Sequence, residues 1–365
     1  MDIKVNSKAL SNALSLAIKA VPAKAAIPIL SNFSLEASGT CLTVTASDTN
    51  ISIICAVANE GEGKAIVPAN TLLELLRTLP ACDITLKTKD ASCVVDWGMG
   101  NSVLPCFPVE DYPAISRPGT VVLRLSQKDL REALKHTLPC VAKDEIRPAI
   151  SGIYCDITEA ETTFVATDSH ILSMYPVKVG RETPVSFIIP SQIASILVNY
   201  LSDSGDVAIF CDDGGISFSL GSVIISSRKI VGKFPNYRQV IPKNNNNQAL
   251  ADKTTFLSSV KRVATCSSKA TGAIKFTINA DTEIKVEAQD LGFNIAATEF
   301  IPGTMYQGDA LVVAFKAEYL LKGLGMIGSG QLILKLSDAK HAALLLPQDA
   351  EADPCTILLM PILAQ

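Results

Sequence analysis

Asp168-Ser169-His170 brings the three residue types of a hydrolytic triad into consecutive positions. A triad needs the acid, the imidazole and the hydroxyl aligned in a relay. Consecutive side chains on an extended segment point to opposite faces, which forbids that alignment from adjacent positions. The strained G-x-S-x-G turn that exposes a serine nucleophile is also missing. Gly61-Glu62-Gly63-Lys64 ends in a lysine, as phosphate-cradling loops do, but it lacks both their spacing and the following hydroxyl residue. Ten cysteines and three histidines, His136, His170 and His341, are the remaining candidates for chemistry. No two cysteines stand in a C-x-x-C spacing and they fall singly through strand-like and helix-like segments, which describes small buried hydrophobes. The reading is of a protein without catalytic residues, metal or cofactor.

The elements that hold these residues repeat. Ala46-Ser47-Asp48 returns as Ala166-Thr167-Asp168 and as Ala288-Gln289-Asp290, at spacings of 120 and 122 residues. Ile66-Val67-Pro68-Ala69 opens a leucine-rich helix, returns as Ile188-Ile189-Pro190-Ser191, and is matched a third time by Val312-Val313-Ala314-Phe315. Within each repeat an amphipathic lead helix has one apolar stripe: Leu10, Leu14, Ala17 and Val21; then Leu130, Ala133, Leu134 and Leu138; then Phe256, Leu257, Val260 and Val263. Between helices, runs such as Cys41-Leu42-Thr43-Val44-Thr45 and Ile284-Lys285-Val286-Glu287 alternate as half-buried antiparallel strands do. The fold class is α+β: three repeated domains, each with two helices packed on antiparallel sheets, over residues 1–119, 121–244 and 248–365. The turn-rich linkers Ser116-Arg117-Pro118-Gly119-Thr120 and Pro242-Lys243 with Asn244 to Asn247 separate them.

Composition bounds the function. Of 365 residues, 48% are hydrophobic and only 5% aromatic, so the cores are aliphatic. The opening Met1-Asp2-Ile3-Lys4-Val5-Asn6 does not read as a leader, and no run approaches 18 unbroken apolar residues, from which a soluble, cytoplasmic protein is expected. Net charge is −4, yet the helical segments 7–24, 70–79, 126–137, 190–201, 253–262 and 315–323 together carry +8, leaving −12 for the rest. Basic helices on acidic sheets and loops suit a surface that attracts phosphate on one side only. Without an aromatic stacking platform, backbone contact to a duplex fits better than single-strand binding.

Four segments then carry a resemblance: Arg147-Pro148-Ala149-Ile150-Ser151-Gly152-Ile153, Ala166-Thr167-Asp168-Ser169-His170-Ile171-Leu172, Gly232-Lys233-Phe234-Pro235-Asn236-Tyr237-Arg238, and Leu358-Leu359-Met360-Pro361-Ile362. In this order, and with the three-fold repeat, the chain closely resembles the bacterial DNA polymerase III β subunit family, the sliding clamps. The resemblance implies a processivity factor for DNA polymerase: a homodimeric, head-to-tail ring of six domains, helices facing double-stranded DNA without sequence preference. It implies a hydrophobic cleft for short peptides of the replicative polymerase, the clamp loader and repair proteins. Carried over by motif, that cleft takes Ile150, Thr167, Ser169, His170, Ile171, Leu172, Pro235, Gln239, Val240, Tyr319, Leu358, Leu359, Met360, Pro361 and Ile362. Read without the family, the apolar tail is either a buried last strand or a surface for an adaptable groove. Ser169, Ile171 and Gln239 stand where the family often has Gly, Arg and Arg, and Leu363-Ala364-Gln365 replaces a terminal Arg-Leu, so the rim is less basic. Lys24 and Arg147 match DNA-facing positions by resemblance; Lys8, Lys19, Arg131, Lys261 and Arg262 join them from helical phase. A peptide-binding scaffold that does not encircle DNA is the alternative function.

Overall fold

A computed structural model of the chain describes residues 1–24, 26–115, 119–144, 146–279 and 283–363. The linker residues 116–118 and the terminal Ala364-Gln365 lie outside the described residues. Seven α-helices occur among those described: α1 Ser7–Ala17, α2 Ala69–Thr78, α3 Gln127–Thr137, α4 Ser191–Tyr200, the single turn α5 Tyr237–Val240, α6 Lys253–Ala264 and α7 Ala317–Met326. Every strand pairing between them is antiparallel, and the order lead helix, strands, second helix, strands recurs three times along the chain.

The chain divides into two compact units. Residues 1–128 and 202–229 form the first, built on an eleven-stranded sheet in which the 18-residue strand Ile51–Pro68 is shared by several partners. Leu42, Val44 and Ala46 are fully buried while Cys41 is exposed and Thr43 half-buried, the alternation expected of a sheet with one covered face. Leu10, Leu14 and Ala17 of α1 and Leu72 and Leu76 of α2 are buried. Asn6 starts α1 by accepting from the amides of Lys8 and Ala9, both at 3.1 Å. Val21 lies beyond the helix and is only half-buried. Gly61 and Gly63 are not a phosphate loop. They kink the long strand at φ +102° and +123°, where a Cβ would fall 2.1 Å from the Asp2 carbonyl oxygen and 2.5 Å from Met1 Cα.

Residues 129–201 and 230–365 form the second unit, which holds a nine-stranded and a four-stranded sheet. Strand Thr356–Leu359 lies between Ile171–Val177 and Ala343–Pro347 in the nine-stranded sheet, stitching the last repeat to the second. Asp252 caps α6 by accepting from Thr255 N at 2.7 Å, and Phe256, Val260 and Val263 are buried. Leu257 is half-buried, and Leu138 falls in a 3-10 turn after α3.

The repeated tripeptide has a conformational cause. Ser47 Oγ donates to the Ile51 carbonyl at 3.0 Å, and Asp48 Oδ1 accepts from Asn50 N and Ile51 N at 2.9 and 2.7 Å, with Thr49 at φ +80°. Thr167, Asp168 and Ser169 reproduce this turn: Thr167 Oγ1 donates to Ile171 O at 2.8 Å, Asp168 Oδ1 accepts from His170 N and Ile171 N, and Ser169 has φ +80°. The third copy has Gln289 instead of a hydroxyl residue, and its longer turn reaches positive φ at Asn294. The second sequence marker needs a correction. Pro68 and Pro190 are the residues preceding α2 and α4, and their counterpart before α7 is Lys316, two residues beyond Ala314. Half of the ten cysteines, Cys55, Cys93, Cys140, Cys155 and Cys355, are fully buried, and none is in a disulfide.

Candidate partner-peptide site and DNA-facing residues

The second unit gathers most of the residues expected to form a peptide cleft around one strand pair. Ile171 lies opposite Leu359 and Leu172 opposite Leu358, and Met360 N continues the ladder by donating to His170 O at 2.9 Å. Because side chains alternate, this ladder has two faces. Leu172 and Leu358 pack in a cluster with Ile150, Val165, Phe234, Tyr237 and Leu344, bordered by the partly buried Tyr154, Met174, Ile241 and Leu346. Tyr154 stacks on Phe234 with centroids 4.7 Å apart and planes at 5°. Ile171 and Leu359 are 0% and 1% exposed and belong to the other face, where Leu345, Ile357 and Leu359 close on Gly323 of α7. Of the residues expected to line the cleft, Ile171 and Leu359 are therefore buried on the face turned to α7, opposite the one that holds Leu172 and Leu358.

Thr167 is also structural, its hydroxyl spent on the turn and its side chain buried. The residues that reach solvent are Ser169, His170, Pro235, Gln239, Val240 and Met360, with Val240 55% and Met360 41% exposed. Pro361 and Ile362 are half-buried, and Ile362 bridges Ala314. The tail is therefore both of the things its composition allowed: a buried strand to Leu359, then a surface from Met360 onward.

One end of this surface is polar and aromatic. His170 stacks on Tyr319 with centroids 5.3 Å apart, and the ammonium groups of Lys316 and Lys322 sit 5.2 and 5.5 Å from the tyrosine centroid. Burial raises the Tyr319 phenol above its ordinary pKa. At the other end, Tyr237 Oη donates to Asp156 Oδ2 at 2.8 Å and Arg238 reaches the same oxygen at 2.9 Å. Burial first, and then the Asp156 carboxylate, push the Tyr237 phenol upward. Tyr154, Phe234, Tyr237, Leu344 and Leu346 were absent from the sequence-derived set. Phe234 and Tyr237 stand inside the Gly232 to Arg238 motif, which was the available signal.

The predicted DNA-facing residues separate into engaged and free cations. Arg147 donates to Asp144 Oδ2 at 2.7 Å and to Ser169 Oγ at 2.9 Å, so it stands beside the candidate peptide-site residues. Its hydrogen bond holds the Asp144 carboxyl below the usual carboxylate range. Arg262 grips Glu299 through Nε at 2.9 Å and also through Nη2, which turns toward Ser259 as well. Arg131 is half-buried, donating to the Leu201 carbonyl at 3.4 Å and lying 3.7 Å from Glu132. Arg262 makes the paired fork contact to a carboxylate, and a guanidinium so held is a poor mobile partner for phosphate. Lys8, Lys19, Lys24 and Lys261 are exposed and make no ion pair among the described residues.

The DNA polymerase III beta subunit family matches in three successive parts, its N-terminal domain over residues 1–116, central domain over 124–236 and C-terminal domain over 238–363. A beta sliding clamp of Pseudomonas putida is 27% identical over 370 residues, covering 99% of this chain and 100% of its own, and one from Synechococcus elongatus is 27% identical over 377 residues, covering 99% of both. The crystal structure of a DnaN sliding clamp from Pseudomonas aeruginosa bound to griselimycin matches with a TM-score of 0.94 at 25% identity, and that from Bartonella birtlesii with 0.90 at 29%, each over 100% of both chains. Three consecutive domain matches spanning nearly every residue, on a fold repeated three times, establish that this chain belongs to the DNA polymerase III beta subunit family.

Proposed function

We propose that this sliding clamp, a non-catalytic processivity factor of DNA polymerase, closes head to tail as a homodimer, with three repeats over 1–119, 121–244 and 248–365 in each copy and six in the ring. The observation that carries the reading is a missing strand pair. Within the chain, Ile51–Pro68 of the first repeat pairs with the last strand of the second, Val223–Ser227, and Ile171–Val177 of the second pairs with the last strand of the third, Thr356–Leu359. By repeat equivalence, Ile295–Ile301 of the third should pair with the last strand of the first, Asn101–Pro105. Both instead end their sheets as open edges, with Ile295, Phe300 and Val103 exposed at 45%, 52% and 62%. An open apolar edge invites another strand, and a contact between unlike surfaces closes into a ring when its rotation allows.

The free Lys8, Lys19, Lys24 and Lys261 serve as weak, sequence-independent phosphate contacts, while topology supplies residence on duplex DNA. The surface around Leu172, Leu358, Val240 and Met360 receives short apolar peptides of the replicative polymerase, clamp loader and repair proteins, holding each at high local concentration. No helix among the described residues is long and apolar enough to cross a membrane, and we place the clamp in the cytoplasm. Native mass measurement tests the assembly: a particle of twice 38.7 kDa is expected, and a stable monomer at micromolar concentration contradicts it.

A further inference from the structure

Composition weighs against a metal, yet the fold brings together three ligand types that lie far apart in sequence. His136, in the last turn of α3, is 5% exposed; Asp353 is 7% and Cys355 1% exposed. One ligand atom from each lies within 4.8 Å of the others. His136 Nδ1 is 2.7 Å from the Glu132 carbonyl oxygen. A carbonyl only accepts, so Nδ1 carries a hydrogen and Nε2 is the ring nitrogen left to bind a metal. That nitrogen faces Asp353 Oδ1 at 3.6 Å, too long for a hydrogen bond. Tetrahedral zinc has bonds of about 2.0 Å to nitrogen, 2.0–2.2 Å to oxygen and 2.3 Å to sulfur, which sets neighbouring ligand atoms roughly 3.3–3.8 Å apart. The Nε2–Oδ1 pair already has that spacing at 3.6 Å, and with every ligand atom within 4.8 Å of the others the cluster needs to draw in by no more than about 1 Å.

The surroundings orient the three groups. Asp353 Oδ2 accepts from Gly328 N at 2.7 Å and Oδ1 from Cys355 N at 3.2 Å. Ser173 Oγ donates to the His136 carbonyl at 2.8 Å and lies 3.7 Å from Cys355 Sγ, and the Tyr175 ring packs 4.8 Å from the imidazole. Backbone and carbonyl partners of this kind are what fix the rings and carboxylates of metal sites. We propose that His136, Asp353 and Cys355 form a structural zinc site, with the Ser173 hydroxyl or a water as fourth ligand. Binding forms a zinc–thiolate bond and releases the Cys355 thiol proton to solvent. A neutral imidazole, one carboxylate and one thiolate then balance the two positive charges, leaving no net charge in a buried place. One thiolate and one imidazole favour zinc over magnesium or calcium, which take oxygen ligands. Asp353 directly follows the exposed residues Asp349 to Ala352. Cys355 immediately precedes Thr356–Leu359, so the ion would pin the strand that carries Leu358.

Cobalt(II) titration of the full chain is the test. One equivalent per chain should produce a thiolate-to-cobalt charge-transfer band with the intense visible absorption of a tetrahedral ion, both displaced by zinc. C355S should abolish the charge-transfer band, and D353N should weaken cobalt binding by ~10-fold or more, while C211S leaves both unchanged. Circular dichroism confirms that each variant is folded, and zinc should raise the melting temperature of the parent but not of C355S. A folded parent that gives no charge-transfer band with excess cobalt, or a band that survives C355S, overturns the proposal and leaves His136 and Asp353 as a buried polar pair.

Discussion

The two-faced strand ladder predicts that neighbouring residues of the tail fail in different ways. Val240 is 55% and Met360 41% exposed, whereas Leu359 is 1% exposed and faces α7. Val240→Ala removes two methyl groups worth about 1.6 kcal/mol when fully covered; a peptide can add only the exposed share, about 0.9 kcal/mol. Met360→Ala removes three heavy atoms worth about 2.4 kcal/mol, with about 1.0 kcal/mol left for a ligand to gain. Each single variant should weaken peptide binding about 4- to 5-fold, and the double variant about 20-fold if the sites add. Leu359→Ala should instead cost about 2–5 kcal/mol of stability through a cavity against α7, with little effect on binding by the molecules that remain folded. Fluorescence anisotropy with a labelled apolar-rich polymerase peptide reads affinity, and urea unfolding reads stability. A double variant within about twofold of the parent, where tenfold is 1.4 kcal/mol, would refute the site. So would folded Leu359→Ala losing as much affinity as the double variant.

Other outcomes follow from the same geometry. Phe300→Lys, on the open edge Ile295–Ile301, should shift the particle to monomer in analytical ultracentrifugation while leaving circular dichroism unchanged, because it puts a charge on an edge whose exposed side chain there is apolar. Substituting Lys8, Lys19 and Lys24 together by alanine should flatten the salt dependence of DNA binding by up to about 0.9 per lost phosphate contact. Arg262→Ala should leave that slope unchanged and lower stability, since its guanidinium already serves Glu299. Asp338 is held down to about 2, below the ordinary 3.8, by the amide of Lys340, then the ring and amide of His341. A depressed folded pKa contributes stability that is present above about pH 4 and lost as pH falls through about 2. Asp338→Asn should therefore be less stable than the parent at neutral pH, with the gap closing between pH 4 and 2 in acid titration.

The repeat and the helix positions were legible because they rest on local periodicity and turn chemistry, whereas the apolar tail read only as either a buried strand or a surface. Asp48 and Asp168 recur because one side-chain carboxylate satisfies two turn amides at each place. Sidedness was not legible. Ile171 and Leu172 are equally apolar, and only the pairing with Leu359 and Leu358 sends one to the α7 side and the other to the cluster with Phe234 and Tyr237. Helical phase marked Arg262 as outward, which it is, but Glu299, 37 residues away, takes its charge. His136 and Cys355 gave no spacing signal because the strand Thr356–Leu359 brings the end of the third repeat beneath the second only in the folded chain. Motif reasoning thus found the segments of the site, and register decided which side chains within them are usable.

The central claim is that a closed ring, and not affinity, retains this protein on DNA. Loading the clamp onto a nicked circular duplex and then linearising the circle at constant salt tests it directly by gel filtration. The ring account predicts that the protein stays with the circle and is released once ends are made. Retention that ignores the ends and declines smoothly with salt, or no retention on the circle at all, contradicts it.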